Sequence, residues 1–274
     1  MILKLRFYAL CCFMLSAFVS AQDIRFATVD NIKLEYIDIG AGDYTLLVES
    51  GIGMGVGYWQ PLLADLAKLN VRTIVYSRAG NGQSGNVDDI SLQASNHRLA
   101  QLLKTIKADA NKLILLGHSF GALHARTFAA SHPEKVAGMV LLDPSHEGFQ
   151  NALSALDKDW ADRDNSRLNK MLQQQPEWQQ LQQLYQKNAL ADHNITQMLP
   201  AVLVTSSRLN ESNWWIGHSP QGKKVWRQLH ASLINKNPNA VHFVTDKTGH
   251  NVPLDNNALM LKAIDTLLFM LSVG

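Results

Sequence analysis

Cysteine is almost absent from this sequence of 274 residues: the only two, Cys11 and Cys12, stand side by side near the amino terminus. The rest of the chain therefore has no residue that could form a disulfide or a thiolate metal site. Leu10 precedes Cys11 where a lipid-modified cysteine needs a small residue, which argues against lipidation. We expect neither disulfide nor thiol chemistry in the protein.

The first 21 residues differ in composition from the rest. Lys4 and Arg6 are followed by an apolar run over 7–19 and by the small-x-small pattern Val19-Ser20-Ala21. This pattern predicts a secretory signal peptide over 1–21, cleaved before Gln22. The apolar run is shorter than the roughly 20 residues that span a bilayer. We therefore expect an exported protein, periplasmic or secreted, with no stable membrane anchor after cleavage.

The chain beyond the predicted signal peptide has no net formal charge. Without Lys4 and Arg6, 23 basic residues face 23 acidic ones, and no basic stripe is apparent. Binding to nucleic acid needs clustered lysine and arginine, so we expect no nucleic-acid partner. No closely spaced set of histidines and carboxylates has the pattern of metal ligands, so we expect no metal and no cofactor. A small-molecule substrate is the expected partner.

Strand-like and helical stretches alternate along the chain. A hairpin is predicted over 24–39, with Asp30-Asn31 as its turn. Further strands are predicted over 44–49, 72–76, 113–116, 136–142, 201–205 and 241–246, and helices over 58–69, 91–106, 222–235 and 257–271. This alternation predicts an α/β fold with a mostly parallel, eight-stranded sheet flanked by helices.

One segment breaks the alternation. Residues 145–200 are rich in polar residues, have helical apolar spacing and contain no strand-like run, so we predict a helical lid inserted after the sixth strand. The predicted organisation is a core over 22–144 and 201–274, interrupted by this lid. Six large side chains in or near the lid could line an apolar pocket, although we expect most of them to form the lid's own core: Trp160, Trp178, Leu181, Tyr185, Trp214 and Trp215.

The sequence Gly117-His118-Ser119-Phe120-Gly121 follows an apolar strand and precedes a helix rich in small residues. A serine with a glycine two positions before it and another two positions after it, in a sharp turn from strand to helix, is typical of a nucleophile elbow. A serine hydroxyl becomes a good nucleophile when a histidine removes its proton. Among ten histidines, His250 is the best candidate because it follows Gly249, between the last strand and the last helix.

Two backbone amides are candidates for holding an oxyanion next to Ser119. Phe120 supplies the amide directly after the serine. Ile52 lies within Gly51-Ile52-Gly53, directly after the third strand, where the backbone is free to turn toward the site.

These motifs together resemble the α/β-hydrolase family. The stretch 76–84 is similar to that family's Asp-Arg-x-Gly-x-Gly-x-Ser loop, and 132–143 is similar to the segment that follows its elbow helix. The resemblance covers residue 24 to the carboxyl terminus and implies the triad order serine, acid, histidine. It departs from the family pattern at Ser50-Gly51, where His-Gly is common.

The acid of the triad has competing candidates. The family usually places it after the strand predicted at 201–205, but the loop that follows contains no aspartate, and Glu211 is its only carboxylate. Some members place the acid after the preceding strand, where Asp143 stands. We favour Asp143 over Glu211, and Glu211 over Glu147.

The predicted function is that of an exported serine hydrolase that cleaves a carboxylic ester, or an amide, of a small or acyl substrate through an acyl-enzyme. Two alternatives keep the same sequence features. One is a cofactor-free perhydrolase or lyase on this fold, and the other is an exported binding module without catalysis.

Overall fold

The computed structural model describes residues 24–108, 112–209 and 214–273. The predicted signal peptide, 1–21, lies outside these ranges. The strands are β1 (Arg25–Val29), β2 (Ile32–Ile39), β3 (Tyr44–Glu49), β4 (Arg72–Tyr76), β5 (Lys112–His118), β6 (Val136–Leu142), β7 (Ala201–Ser206) and β8 (Ala240–Thr245). The helices are α1 (Val56–Trp59), α2 (Leu63–Leu66), α3 (Leu92–Thr105), α4 (Gly121–Ser131), α5 (Phe149–Leu156), α6 (Lys158–Met171), α7 (Pro176–Lys187), α8 (Pro220–Ile234), α9 (Val252–Asp255) and α10 (Asn257–Val273).

All eight strands form one sheet in the order β1-β2-β4-β3-β5-β6-β7-β8. β2 pairs antiparallel with both β1 and β4, and every other pairing is parallel. Asp30 and Asn31 both have positive φ, as a tight two-residue hairpin turn requires. The predicted α/β fold with a mostly parallel eight-stranded sheet is confirmed.

Two layers of helix cover the sheet because the central strands are apolar on both faces. On one face Leu47, Leu115 and Leu141 pack with helices α3, α4 and α8. On the other face Val48, Leu116 and Val140 pack with α1, α2 and α10. None of the helices in the described part of the chain is both long and apolar enough to cross a bilayer.

Three strands end at the same level, and this alignment creates the site. Gly117 near the end of β5 is in register with Glu49 of β3 and with Leu141 of β6. The residues that follow these strands, at 50–53, 119–121 and 143–145, therefore meet at the carboxyl edge of the sheet. In open parallel sheets this edge is where ligands bind.

The helix predicted over 58–69 is wrong as a single element. The chain forms α1, then a 3-10 turn over Gln60–Leu62, then α2. Pro61 lies in the 3-10 turn, and its missing N–H removes a hydrogen bond that a continuous helix would need. The predicted apolar positions Leu62, Leu63 and Leu66 are nonetheless buried.

Helices α5, α6 and α7 are inserted between β6 and β7, in the segment where the sequence predicts helices and no strand. The side chain of Asp157 accepts a hydrogen bond from the amide of Trp160 and so caps the start of α6. Pro176 begins α7, and Asn188, in a left-handed conformation, ends it. Polar sequence with strong caps therefore forms a separate helical layer above the edge of the sheet.

Candidate active site

Ser119 lies in the sharp turn between β5 and α4 and has a φ of 54°. Two glycines make this turn possible. A Cβ at position 117 would lie 2.6 Å from the Cα of Ala122, and one at position 121 would lie 2.1 Å from the carbonyl oxygen of Glu49. Because both contacts are with backbone, a side chain at either position would displace the turn. The strained turn thus presents the Ser119 hydroxyl above the sheet.

His250, in the loop after β8, joins the serine to an acid. Its Nε2 lies 2.9 Å from the Ser119 hydroxyl oxygen, and its Nδ1 lies 2.7 Å from Oδ2 of Asp143. A carboxylate can only accept here, so Nδ1 carries the proton and Nε2 is free to accept the serine proton. The structure brings together Ser119, His250 and Asp143 in the geometry of a serine-histidine-aspartate triad.

Asp143 directly follows β6 and is almost completely buried. Its second oxygen, Oδ1, accepts hydrogen bonds from the amide of Ser206 at 2.9 Å and from the indole of Trp226 at 2.7 Å. Burial alone would raise the pKa of Asp143, but the hydrogen bond to His250 and the charges of His250, His230 and Lys223 lower it to about 2. The carboxylate is therefore ionised at any pH near neutrality.

Of the other two acid candidates, only Glu147 belongs to the described residues, and it is held away from His250 by another partner. Glu147 pairs with the guanidinium of Arg126 at 2.8 Å. Glu211 lies outside the described residues.

His118 supports the loop that carries His250. Its Nε2 donates a hydrogen bond to the carbonyl oxygen of His250 at 2.9 Å, and its ring stacks on Tyr58 at a centroid distance of 5.8 Å. Burial and the charge of His250 lower the pKa of His118 to about 3. His118 is therefore a neutral donor with a fixed tautomer, and it positions the loop without exchanging protons near neutral pH.

Ile52 and Phe120, the two predicted oxyanion residues, belong to the loops that follow β3 and β5 at the carboxyl edge. Phe120 is the N-cap residue of helix α4, at the positive end of that helix. Ile52 lines the cavity that contains Ser119. Neither backbone amide donates a hydrogen bond to another of the described residues. Both are thus available to an oxygen atom bound next to Ser119.

Arg78 holds the loop that contains Ile52. Its guanidinium donates to the carbonyl oxygens of Ser50 and Gly51 at 2.9 and 3.0 Å. It also forms ion pairs with Glu49 at 2.9 Å and with Glu177 at 2.6 Å. Because all of these groups are buried, the interactions are strong and directional.

Glu177 belongs to the inserted helix α7 and reaches the same loop directly. Its carboxylate accepts from the amide of Gly53 at 2.9 Å and from the side chain of Asn81 at 2.8 Å. Burial acts to raise the pKa of Glu177, but Arg78 and these two hydrogen bonds lower it overall. We call Arg78, Glu49 and Glu177 the arginine clasp, because together they tie the Ile52 loop to the core and to α7.

A cavity of about 390 Å³ lies over Ser119 and His250. The inserted helices and the loop before α8 supply much of its apolar wall: Leu168, Leu172, Trp178, Leu181, Tyr185, Trp214 and Trp215. Most of the six large side chains also belong to apolar clusters formed with other lid residues, as expected: Trp160, Trp178, Leu181, Tyr185 and Trp215. Lining the cavity and packing the lid are therefore not alternatives. Of the six, Trp160 alone does not line the cavity within the described residues, although Trp178 and Leu181 also pack among themselves.

Sequence reasoning missed Trp226, Glu177 and Lys223. Trp226 and Lys223 lie on α8, and both reach the cavity. Their helical pattern predicts only a buried face, without indicating what that face contacts. Glu177 lies 99 residues from Arg78 in the chain, so no local spacing pattern joins them. For Arg78, its place in the motif over 76–84 was a signal, but no partner could be assigned.

Comparison with known proteins identifies the fold family. A family model described as the alpha/beta hydrolase fold matches residues 44–225, well over half of the chain. The chain therefore belongs to the α/β-hydrolase fold family.

Individual relatives are more distant. The protein YqjL of Bacillus subtilis is 31% identical over 108 residues, which are 39% of this chain and 42% of that protein. A 2-hydroxy-6-oxononadienedioate/2-hydroxy-6-oxononatrienedioate hydrolase of Escherichia coli is 28% identical over 131 residues, 44% of this chain and 45% of that protein. The chain thus spans less than half the length of each.

Solved structures extend the likeness over nearly the whole chain. The meta-cleavage product hydrolase from Pseudomonas fluorescens IP01 matches with a TM-score of 0.59 and 17% identity, over 91% of this chain and 98% of that chain. At this level of identity the match shows a common fold.

Proposed function

We propose that the protein is an exported serine hydrolase that cleaves a carboxylic ester of a small or acyl substrate. The observation that carries the proposal is the pair of hydrogen bonds from His250 to Ser119 and to Asp143, at the floor of an apolar cavity. Membership of the α/β-hydrolase family and the likeness to several hydrolases support it.

In the first half-reaction the Ser119 oxygen attacks the carbonyl carbon of the ester. His250 Nε2 takes the serine proton, and Asp143 stabilises the imidazolium that forms. The negative charge that develops on the carbonyl oxygen is held by the amides of Ile52 and Phe120 and by the positive end of α4. His250 then returns the proton to the leaving oxygen, and the alcohol departs.

In the second half-reaction water attacks the acyl-enzyme. His250 removes a proton from the water and gives it to the Ser119 oxygen as the acyl carbon–oxygen bond breaks. Both half-reactions use the side chains of Ser119, His250 and Asp143 together with the backbone amides of Ile52 and Phe120.

Hydrolysis of short- and medium-chain 4-nitrophenyl esters tests the proposal. Removal of a triad member lowers the rate by several orders of magnitude, so Ser119→Ala should lose essentially all turnover. Ser131→Ala is the matched control, because Ser131 is an exposed serine at the far end of α4, the helix that follows Ser119. Equal activity of both variants would contradict the proposal, and turnover that depends on peroxide would favour a perhydrolase instead.

Export is a separate part of the proposal and rests on the pattern of residues 1–21. N-terminal sequencing of the protein recovered outside the cytoplasm should begin at Gln22. A protein that keeps residues 1–21 and stays in the cytoplasm would contradict export without affecting the proposed chemistry.

A further inference from the structure

Lys223 is a buried lysine in the cavity wall that the proposed mechanism does not use. It lies on α8, its side chain is 7% exposed, and it lines the same cavity as Ser119 and His250. Its Nζ donates one hydrogen bond, to the carbonyl oxygen of Ser206 at a rather long 3.2 Å. An ammonium group has three donors, so most of its hydrogen-bonding capacity is unused.

The charge of Lys223 also has no ion-pair partner among the described residues. Asp143 is the acid whose charge acts on it, but both oxygens of Asp143 are occupied by His250, Ser206 and Trp226. A buried ammonium without a paired anion is costly. Of the described residues that line the cavity, Lys223 is also the one lysine or arginine.

His218 lies in the same part of the cavity and is also incompletely bonded. Its Nδ1 is buried without a hydrogen-bond partner, and its ring packs edge-on against Trp215 at 4.8 Å. Burial and the nearby charge of Lys223 lower the pKa of His218 to about 4, so the ring is neutral near pH 7. We call Lys223 and His218 the polar corner of the cavity.

The polar corner lies on the His250 side of Ser119. Lys223 and Asp143 contact the same residue, Ser206, through its carbonyl and its amide. His218 and His250 line the same cavity, and the charge of His250 acts on the His218 ring. His250 is the group that protonates the leaving oxygen, so the polar corner is next to the alcohol part of a bound ester.

We propose that the polar corner binds a carboxylate on the alcohol part of the substrate. The preferred substrates are then esters in which the hydroxyl group of a hydroxycarboxylic acid is acylated and its carboxylate is free. This inference rests on the proposed function and narrows it. Otherwise apolar pockets commonly fix a ligand through a few polar groups of this kind. When the tetrahedral intermediate breaks down, the carbon–oxygen bond to the alcohol breaks and His250 gives its proton to that oxygen. The hydroxy acid then leaves with its carboxylate unchanged.

Acetyl esters of hydroxybenzoates test the inference with a constant acyl group. The 2-, 3- and 4-acetoxybenzoates are compared with the corresponding acetoxybenzamides, in which an uncharged amide replaces the carboxylate. All six give the same acetyl-enzyme, so differences in kcat/KM report the first half-reaction alone. In the 3- and 4-isomers the carboxamide withdraws electrons more strongly than the carboxylate and makes the better leaving group, so intrinsic reactivity opposes the expected preference. These two isomers decide the test, because in the 2-isomer the neighbouring carboxylate itself assists hydrolysis.

We expect the wild type to prefer the carboxylate for at least one of these two isomers by about tenfold or more, as for a hydrogen bond to a charged group. Lys223→Met should lower that ratio by about the same factor, and Lys223→Arg should retain part of it. Lys224→Met is the matched control, because Lys224 is the adjacent, exposed lysine on the same helix. It should leave the ratio unchanged.

Two results would overturn the inference. One is a wild type that prefers the amide for both the 3- and the 4-isomer. The other is a Lys223→Met variant that loses activity equally toward both members of each pair, because Lys223 would then act only through Asp143. If Lys223→Met does not fold, competitive inhibition of the wild type by 3- and 4-hydroxybenzoate is compared with inhibition by the matching hydroxybenzamides. Stronger inhibition by the carboxylates supports the inference, and equal or weaker inhibition overturns it.

Failure of the proposed function has a different signature. No acetyl ester would then be hydrolysed, and Ser119 would not react with a fluorophosphonate. Binding of 3- and 4-hydroxybenzoate, measured by calorimetry against the hydroxybenzamides, would still test the polar corner. Stronger binding of the carboxylates supports it, and equal or weaker binding contradicts it.

Discussion

On the His250 side of Ser119, the hydrogen bonds join groups at the carboxyl edge of the sheet to one another and to Trp226 of α8. Asp143 follows β6, Ser206 ends β7, and His250 follows β8. On the Ile52 side, a carboxylate from the inserted helix α7 takes part, because Glu177 binds both Arg78 and the amide of Gly53. The base side is therefore built by the core alone, whereas the oxyanion side depends on the inserted helices.

A second buried arginine shows that the clasp is specific to its place. Arg126 is as deeply buried as Arg78 and is likewise held by two carboxylates, Glu147 and Asp192. Unlike Arg78, it contacts no residue of the Ile52 loop. Each cluster holds one buried arginine between two carboxylates, so differences between their variants report what contact with the oxyanion loop contributes.

The largest effect is expected on the base side, at Asp143. Asp143→Asn should lower kcat by about 10⁴, because an amide favours the wrong tautomer of His250. Steady-state kinetics on a 4-nitrophenyl ester measure this loss. Glu147→Gln is the control and should change kcat little, since Glu147 pairs with Arg126. A small loss for Asp143→Asn would assign the acid to another residue, and Glu211→Gln would then be the next variant to measure.

On the oxyanion side, Arg78→Met should lower kcat by about 10² to 10³ with a smaller change in KM, comparable to the loss of one oxyanion donor. Arg126→Met should cost similar stability, about 3–5 kcal/mol for a broken buried ion pair, but leave kcat per folded molecule nearly intact. Active-site titration with a fluorophosphonate corrects for unfolded protein.

If Arg78→Met is not folded, Arg78→Lys is the variant to measure, because it keeps the charge and loses the bidentate geometry. Equal kcat values for the Arg78→Met and Arg126→Met variants would show that the arginine clasp contributes to stability and not to catalysis.

A smaller effect is expected at Glu177. Glu177→Gln keeps an oxygen that can accept from the Gly53 amide but loses the charge that holds Arg78, so we expect kcat to fall about tenfold, near the value of one charged hydrogen bond. Glu177→Ala loses both interactions and should fall further. Steady-state kinetics of both variants on the same ester show whether kcat falls further in Glu177→Ala than in Glu177→Gln. An unchanged kcat in both would mean that the oxyanion side does not depend on α7.

An effect on stability, without any direct effect on kcat, is expected from the buried histidines as the pH is lowered. Burial lowers the pKa of His118 and of His230 to about 3 and that of His124 well below its ordinary value. The unfolded chain binds these protons at about pH 6.5, so stability should fall as the pH drops from about 6.5 toward 3, by up to about 1.4 kcal/mol per pH unit for each histidine. Asp143 contributes in a lower window: its stabilisation is present above its ordinary pKa of 3.8 and is lost as the pH falls toward 2.

Urea unfolding between pH 7 and 4.5 measures this slope. His124→Leu should flatten it, because both ring nitrogens of His124 are buried without a hydrogen-bond partner. A slope unchanged by this substitution would show that His124 is not a source of the pH dependence.

The parts of the fold that sequence predicts well are those with local signals. The strands were predicted within a residue or two because their apolar and β-branched runs are bounded by turn residues. Ser119 and His250 were found because glycines mark the turns that hold them. Asp143 was favoured over Glu211 from its position at the end of β6, and the structure places Asp143 next to His250.

Other features depend on contacts that no local pattern records. Pro61 breaks a helix whose apolar spacing looks continuous. Glu177 contacts Arg78 across 99 positions of the chain, and Lys223 reaches the cavity from a helix predicted only as amphipathic. The direction in which Trp178 and Trp215 point was also set by packing between distant segments. Such contacts are fixed by tertiary structure and cannot be read from periodicity.

The measurement that tests the central claim most directly is the site of reaction with a fluorophosphonate. Intact-mass and peptide analysis of the treated protein should find one adduct per chain, on Ser119, formed slowly or not at all in His250→Ala and absent in Ser119→Ala. An adduct on a different residue, or none on the folded wild-type protein, would contradict the assignment of Ser119 as the nucleophile.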